Sequence, residues 1–265
     1  MACNAAADMF CRYQGASSGV AVIAIYSVKG GVGKTTLAAN LAWCASQTSG
    51  WKTLLWDIDA AGGAAFLLGV DPPKKRTADS VFARERAPEK AVVHTPFPGL
   101  DLLPADQSLW QLDAQLSALG KKRRLASLAE ELGKSYRRII LDCPPVLNQI
   151  SAQAMRAADV VIVPLPPSPL SARAFKLVAE EVKGAGKHHP PMLPVLSMVD
   201  RRRNLHRDAL AANPSWPVIP LASAVEQCAV HRAPVGAFAP SSPAARDFDL
   251  LWRAIESKLK QRKAS

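Results

Sequence analysis

The sequence has no apolar run long enough to cross a membrane, which takes about 20 residues. Its longest candidates, such as Val160 to Val163, are strand-sized and end at proline. Cysteine is scarce: Cys3, Cys11, Cys44, Cys143 and Cys228 are odd in number, scattered, and without paired metal-site spacing. That argues against a disulfide framework and for reduced thiols in a cytosol. Residues 1–19 are mostly small and polar, with Arg12 their one basic residue, and lack the basic start and apolar stretch of a signal peptide. We expect them to be a flexible lead-in. Acidic residues are short as well, 22 against 33 basic ones, and the net charge of +11 favours a polyanionic partner, either nucleic acid or an anionic membrane surface.

What the chain has is apolar content, 49% of its 265 residues, enough for a sizeable core. Short β-branched or aliphatic runs alternate with helical stretches. Strands are expected at Ala21 to Ser27, Thr53 to Asp57, Leu100 to Leu103, Arg138 to Asp142, Val160 to Val163, Leu193 to Val199 and Val218-Ile219. Helices are expected near Leu37 to Ser46, Ala78 to Arg84, Gln107 to Leu119, Lys122 to Leu132, Gln149 to Ala157, Ala172 to Val182 and Phe248 to Lys260. Such alternation predicts an α/β fold: one doubly wound, mostly parallel sheet with helices on both faces, in a single domain over residues 20–265.

The first strand runs straight into Val28-Lys-Gly-Gly-Val-Gly-Lys-Thr-Thr36 and then a helix. Strand, glycine loop and helix are the context of a phosphate-binding loop. Gly30, Gly31 and Gly33 let successive amides, Val32 included, approach phosphate oxygens, and the helix adds its free N–H groups and positive dipole end. Lys34 supplies a mobile charge for the β- and γ-phosphates, Thr35 a hydroxyl for Mg²⁺, and Thr36 a hydrogen bond for the α-phosphate. A plain glycine turn would not need two lysines and two threonines at this spacing.

The common phosphate-loop pattern wants glycine at position 28, where this chain has valine, and it has a second lysine at position 29. In this the sequence resembles the ParA/MinD family, whose deviant loop reads K-G-G-x-G-K-[ST]-T; both lysines, all three glycines and both threonines are present. The likeness covers about Val20 to Lys260. It extends to Leu196-Ser-Met-Val-Asp-Arg201 and Val218-Ile-Pro-Leu221, which are similar to the segments bordering the family's adenine pocket and make Asp200 and Pro220 candidate base contacts.

Asp57 and Asp59 close the second strand at the carboxyl edge of the sheet, where ligands bind in open α/β folds. By resemblance Asp59 positions the attacking water and Asp57 supports the metal; the alternative duty for one of them is to cap the segment starting near Gly62. Ala60-Ala61 replaces the family's Pro-Gln. Asp142, after an apolar strand, is the expected Walker B acid, holding Mg²⁺ through a water. Cys143 is read as a small packing residue.

The resemblance implies an ATP- and Mg²⁺-dependent switch, slow in hydrolysis, that pairs as a homodimer in the ATP state with Lys29 reaching the partner's phosphates. It implies non-specific binding of double-stranded DNA, a ParB-like or other stimulating adaptor, a cytoplasmic and nucleoid-associated address, and partitioning or positioning of DNA or a large cargo. Arg201, Arg202, Arg203, Arg207, Lys258 and Lys260 are the candidate DNA contacts, since phosphate contact needs charge and no base-reading geometry. Lys74 to Arg76 and Lys121 to Arg124 read as solvated faces, and His188-His189 as a polar turn. A MinD-like membrane switch is the first competing reading, but Lys260 to Ser265 has no large apolar residue to insert. An iron–sulfur carrier lacks its C-x-x-C. A regulatory ATPase of surface polysaccharide synthesis shares the fold.

Overall fold

The computed structural model describes residues 19–72, 78–118, 123–184 and 189–264. Residues 1–18 of the expected lead-in, Cys3 and Cys11 among them, and Lys74 to Arg76, Lys121, Lys122 and His188 lie outside the described residues.

Among the described residues eight strands form one sheet in the order β3-β4-β2-β5-β1-β6-β7-β8. They are β1 Ala21–Ile25, β2 Thr53–Asp57, β3 Val93–His94, β4 Leu100–Leu103, β5 Arg138–Asp142, β6 Val160–Leu165, β7 Met192–Val199 and β8 Val218–Pro220. All neighbours are parallel except the short edge strand β3. The two-residue period of a strand sends alternate side chains to opposite faces. Ala21, Ile23 and Ile25 of β1 therefore join one apolar layer, and Val22 and Ala24 the other.

The first layer is covered by α1 Lys34–Trp43, α2 Gly63–Leu67 and the long α12 Pro243–Ala264. The second is covered by α3 Ala78–Ala83, α4 Leu109–Ala118, α5 Arg124–Leu132, α6 Gln149–Ala157 and α7 Pro169–Gly184. The remaining helices are α8 Asn204–Ala212, α9 Ser223–Glu226, α10 Cys228–His231 and α11 Val235–Phe238.

α6 starts where its sequence asks it to. Asn148 accepts from the Ser151 amide at 3.0 Å, while Ser151 Oγ accepts from the Asn148 amide at 2.9 Å, a reciprocal cap. The stripe expected on the last helix is real: Phe248, Leu251, Trp252, Ile255 and Leu259 are all buried. α12 runs against the strands. It starts near the carboxyl edge of the sheet and ends at the amino edge, where Arg262 reaches Asp159 Oδ1 at 3.1 Å, one residue before β6. Arg138, first residue of β5, meets Glu256 of α12 in a two-pronged ion pair, at 2.7 Å through Nε and 2.9 Å through Nη2.

Candidate nucleotide site and family

Because β5 lies between β2 and β1, three strand ends deliver their residues side by side at the carboxyl edge. The glycine loop follows β1, Asp57 ends β2, and Asp142 ends β5 in register with both Ile25 and Asp57. Gly31 and Gly33 take left-handed φ of +69° and +88°, as the turn requires, and Gly33 leads directly into α1.

Lys34 is buried, with Nζ donating to the Lys29 carbonyl at 3.1 Å. The loop thus holds its own lysine bent back across it. Burial lowers the Lys34 pKa, and the charges of Asp142 and Asp59 act in the opposite direction. This ammonium is therefore poorly compensated, ready for a polyanion.

The three carboxylates are held in different ways. Asp57 uses both oxygens on backbone: Oδ1 accepts from the Asp59 amide at 3.0 Å and Oδ2 from the Ala64 amide in the first turn of α2 at 3.1 Å. Asp57 thereby fastens the end of β2 to the first turn of α2, whose N-cap residue is Gly62. Asp59 lies at the surface side of the turn, accepting from the Ala61 amide at 3.1 Å.

Asp142 is the open acid. Both of its oxygens are buried without a hydrogen bond among the described residues, and the Thr35 hydroxyl lies close enough to pull its pKa down. Burial, reinforced by Asp59, still pushes the Asp142 pKa up to about 7. An unsatisfied buried carboxyl beside a threonine hydroxyl and a lysine fits a hydrated cation. Among the described residues no three metal-ligating side chains converge, so phosphate oxygens and water would complete the shell of a magnesium ion held by Thr35 and Asp142.

A pH dependence follows. A raised acid pKa means that the folded, metal-free protein binds this proton more tightly than the unfolded chain, whose value is near 3.8. Its stabilising effect is full below that value and is lost as pH rises through about 7. Magnesium competes with the proton, so affinity should fall about tenfold per pH unit below neutrality. Calorimetric Mg²⁺ titrations in the presence of nucleotide from pH 5.5 to 8 check this; a flat profile would contradict it, and Asp142→Asn should flatten it.

Beside the glycine loop lies a pocket with about 690 Å³ of empty space, part of it open to solvent. Val32, Gly33 and Thr36 form its inner wall, and Met198, Ile219 and Pro220 the facing side. Asp200 is not among the lining residues. Its carboxylate instead clamps Arg202, at 2.9 Å to Nε and 3.0 Å to Nη2, which draws its pKa down to about 2.

Sequence reading missed Ser197, a buried wall residue whose hydroxyl has no partner among the described residues, and Val225 and Cys228, which also line the pocket. Helices of four residues such as α9 and α10 are too short to show a period. It also missed Asn40, one turn after Thr36. Asn40 donates to the Thr36 carbonyl at 2.8 Å and accepts from the Val235 amide at 2.8 Å, tying α11 to the phosphate helix.

The candidate DNA contacts do not form one patch. Arg201, Arg202, Arg203 and Arg207 are exposed just beyond the carboxyl end of β7, whereas Lys258 and Lys260 are exposed near the far end of α12, by the amino edge. Arg202 is occupied by Asp200. Arg246, at the start of α12, joins Arg201 around Asp247 and was not anticipated.

Comparison with known proteins agrees with this geometry. The family described as AAA domain matches residues 20–194. The chromosome partitioning protein ParA of Caulobacter vibrioides is 35% identical over 192 residues, covering 69% of this chain and 72% of that protein. The sporulation initiation inhibitor Soj of Bacillus subtilis is 30% identical over 190 residues, 69% of this chain and 75% of its own. The septum site-determining protein MinD of Pyrococcus horikoshii, solved with Mg-ADP, superposes with a TM-score of 0.75 at 26% identity, covering 89% of this chain and 96% of its own. With its two-lysine glycine loop, its strand order and these relatives, the chain belongs to the ParA/MinD family of P-loop ATPases.

Proposed function

We propose that the chain is an ATP-dependent dimerising switch that hydrolyses ATP slowly, binds double-stranded DNA non-specifically, and partitions or positions DNA or a large protein cargo. The observation that carries this reading is the pairing of Lys29 and Lys34 on one glycine loop with the unsatisfied Asp142 beside it. Lys34 binds the β- and γ-phosphates, and the amides of Gly30 to Thr36 cradle them. Thr35 and Asp142 would hold a magnesium ion, which would supply positive charge to offset that of the transferring phosphoryl group. Asp59, free of α2, holds the attacking water in line. The names of the relatives, a chromosome partitioning protein and a septum site-determining protein, support a spatial-organisation role. Among the described residues no helix is long and apolar enough to cross a membrane.

Binding to random-sequence duplex DNA with ATP, ADP or no nucleotide, across a salt series, tests this reading. Tight, salt-sensitive binding restricted to the ATP state is expected. Binding in no state would direct the search to an anionic membrane or a protein partner. Because Asp200 neutralises Arg202, replacing Arg201 or Arg203 by alanine should each lower the salt slope by about one unit, and replacing Arg202 by clearly less. Equal losses at all three would show that the clamp opens on DNA.

Asp59→Ala should accumulate an ATP-bound dimer, because binding groups remain while water is no longer aimed. Sedimentation at saturating ATP reads this directly, and a monomer there would remove Asp59 from the role.

A further inference from the structure

α2 is a helix of five residues, Gly63–Leu67, too short to hold its shape unaided. It follows the Asp59 turn without a break. The Asp59 carbonyl accepts from the Gly62 amide at 2.9 Å, and Asp57 Oδ2 accepts from the Ala64 amide at 3.1 Å. These bonds fix its front end. Its rear end is fixed from a distant part of the chain, by Arg232.

Arg232 closes α10, 161 residues beyond Asp71. Its Nε donates to the Phe66 carbonyl at 3.3 Å, and its Nη2 to Asp71 Oδ1 at 2.9 Å and to the Val70 carbonyl at 3.5 Å. The guanidinium carbon lies 5.2 Å from the centre of the Phe66 ring. A cation at the carbonyls that end a helix is electrostatically favoured. The two backbones also close up here: a Cβ added at Gly69, whose φ is +69°, would lie 3.2 Å from the Arg232 carbonyl.

The chain accepts a strained backbone to place this side chain. Arg232 has φ +48° and ψ +45°, in the left-handed region that suits glycine. A turn alone would be better served by glycine, so the guanidinium is what the position gains. The two elements that it joins both line the pocket beside the glycine loop, α2 through Leu67 and α10 through Cys228 and Ala229.

We propose that Arg232 is a positioning residue for hydrolysis, gripping the rear of α2 so that the Asp59 turn at its front stays in place. The inference rests on the reading of Asp59 as the group that aims the attacking water. Five residues make little more than one helical turn, so slack at the rear anchor reaches the front. Aiming water needs a defined Asp59 geometry, whereas phosphate binding rests on the glycine loop and α1. Loss of the grip should therefore lower kcat and spare ATP affinity.

Arg232→Gly removes the guanidinium and keeps the left-handed backbone. Residue-resolved amide hydrogen exchange by NMR, on the nucleotide-free protein, should show Ala61, Gly62 and Ala64 exchanging about threefold to tenfold faster, the scale of one net hydrogen bond. The kcat for ATP should fall by a similar factor, with calorimetric ATP affinity within about twofold of the parent. Thermal unfolding should stay near the parent's, since glycine takes this φ freely and the lost contacts are part-exposed. Arg232→Lys keeps the charge but loses the fork, and should fall between parent and glycine variant in both exchange and kcat. Parent-like exchange at the three amides, or faster exchange with kcat unchanged, overturns the inference. Parent-like kcat in Asp59→Ala overturns instead the reading beneath it, and the exchange comparison then still decides whether Arg232 grips the turn.

Discussion

Lys34→Ala is expected to weaken ATP binding by about a hundredfold or more and to abolish turnover. Truncating one member of a buried, hydrogen-bonded charge pair costs about 2–5 kcal/mol, and roughly 3 kcal/mol is already a factor near one hundred. The structure sharpens this expectation. Lys34 is buried, its Nζ is anchored on the Lys29 carbonyl, and its pKa is lowered by burial before any nucleotide arrives. Removing it takes away a costly buried cation, so the nucleotide-free fold should lose little stability while the binding loss is large. Calorimetric ATP titration alongside thermal unfolding separates the two effects. Affinity within threefold of the parent would remove Lys34 from the phosphate site.

The largest stability effect is expected far from that site, at Glu256. The Arg138–Glu256 pair is almost wholly buried, with side chains 0% and 3% exposed. Arg138 also donates to the Gly19 carbonyl at 2.9 Å and lies 5.0 Å from the centre of the Trp51 ring. Glu256→Ala leaves a guanidinium in the core without its counter-charge, a loss of about 3–5 kcal/mol by analogy with broken buried pairs. Urea unfolding should show the midpoint falling sharply with little change in slope. Replacing both residues together by apolar ones of similar volume should recover most of the loss, since the desolvation of both charges then disappears. A single-variant loss below about 1 kcal/mol would mean that α12 is held by its apolar stripe alone.

Much of this architecture was legible in the sequence, for identifiable reasons. β2, β5 and α6 begin and end where expected, because dense apolar runs are closed by aspartate in the strands and opened by an asparagine cap in the helix. The α12 stripe was legible from its spacing. Glu256 was not, because a carboxylate one position from Ile255 reads as surface until its partner, 118 residues away, is folded against it. Asp57 and Asp142 look alike in sequence, each ending an apolar strand. Only the placement of α2 shows that backbone amides occupy the first and leave the second open. β3 and the four-residue helices carried too few residues for any period to register. The basic residues were found individually, but their separation onto two edges depends on the direction of α12.

That direction also decides what the molecule can carry without harm. Gly19 touches Arg138 at the start of β5, and Arg262 touches Ala158 and Asp159 at the start of β6. The two ends of the described chain therefore emerge together, on the side of the sheet away from the glycine loop. A fluorescent dye or surface tether attached at Gly19 or Arg262 would hang from the rear of the protomer and leave the nucleotide face clear for imaging or single-molecule work.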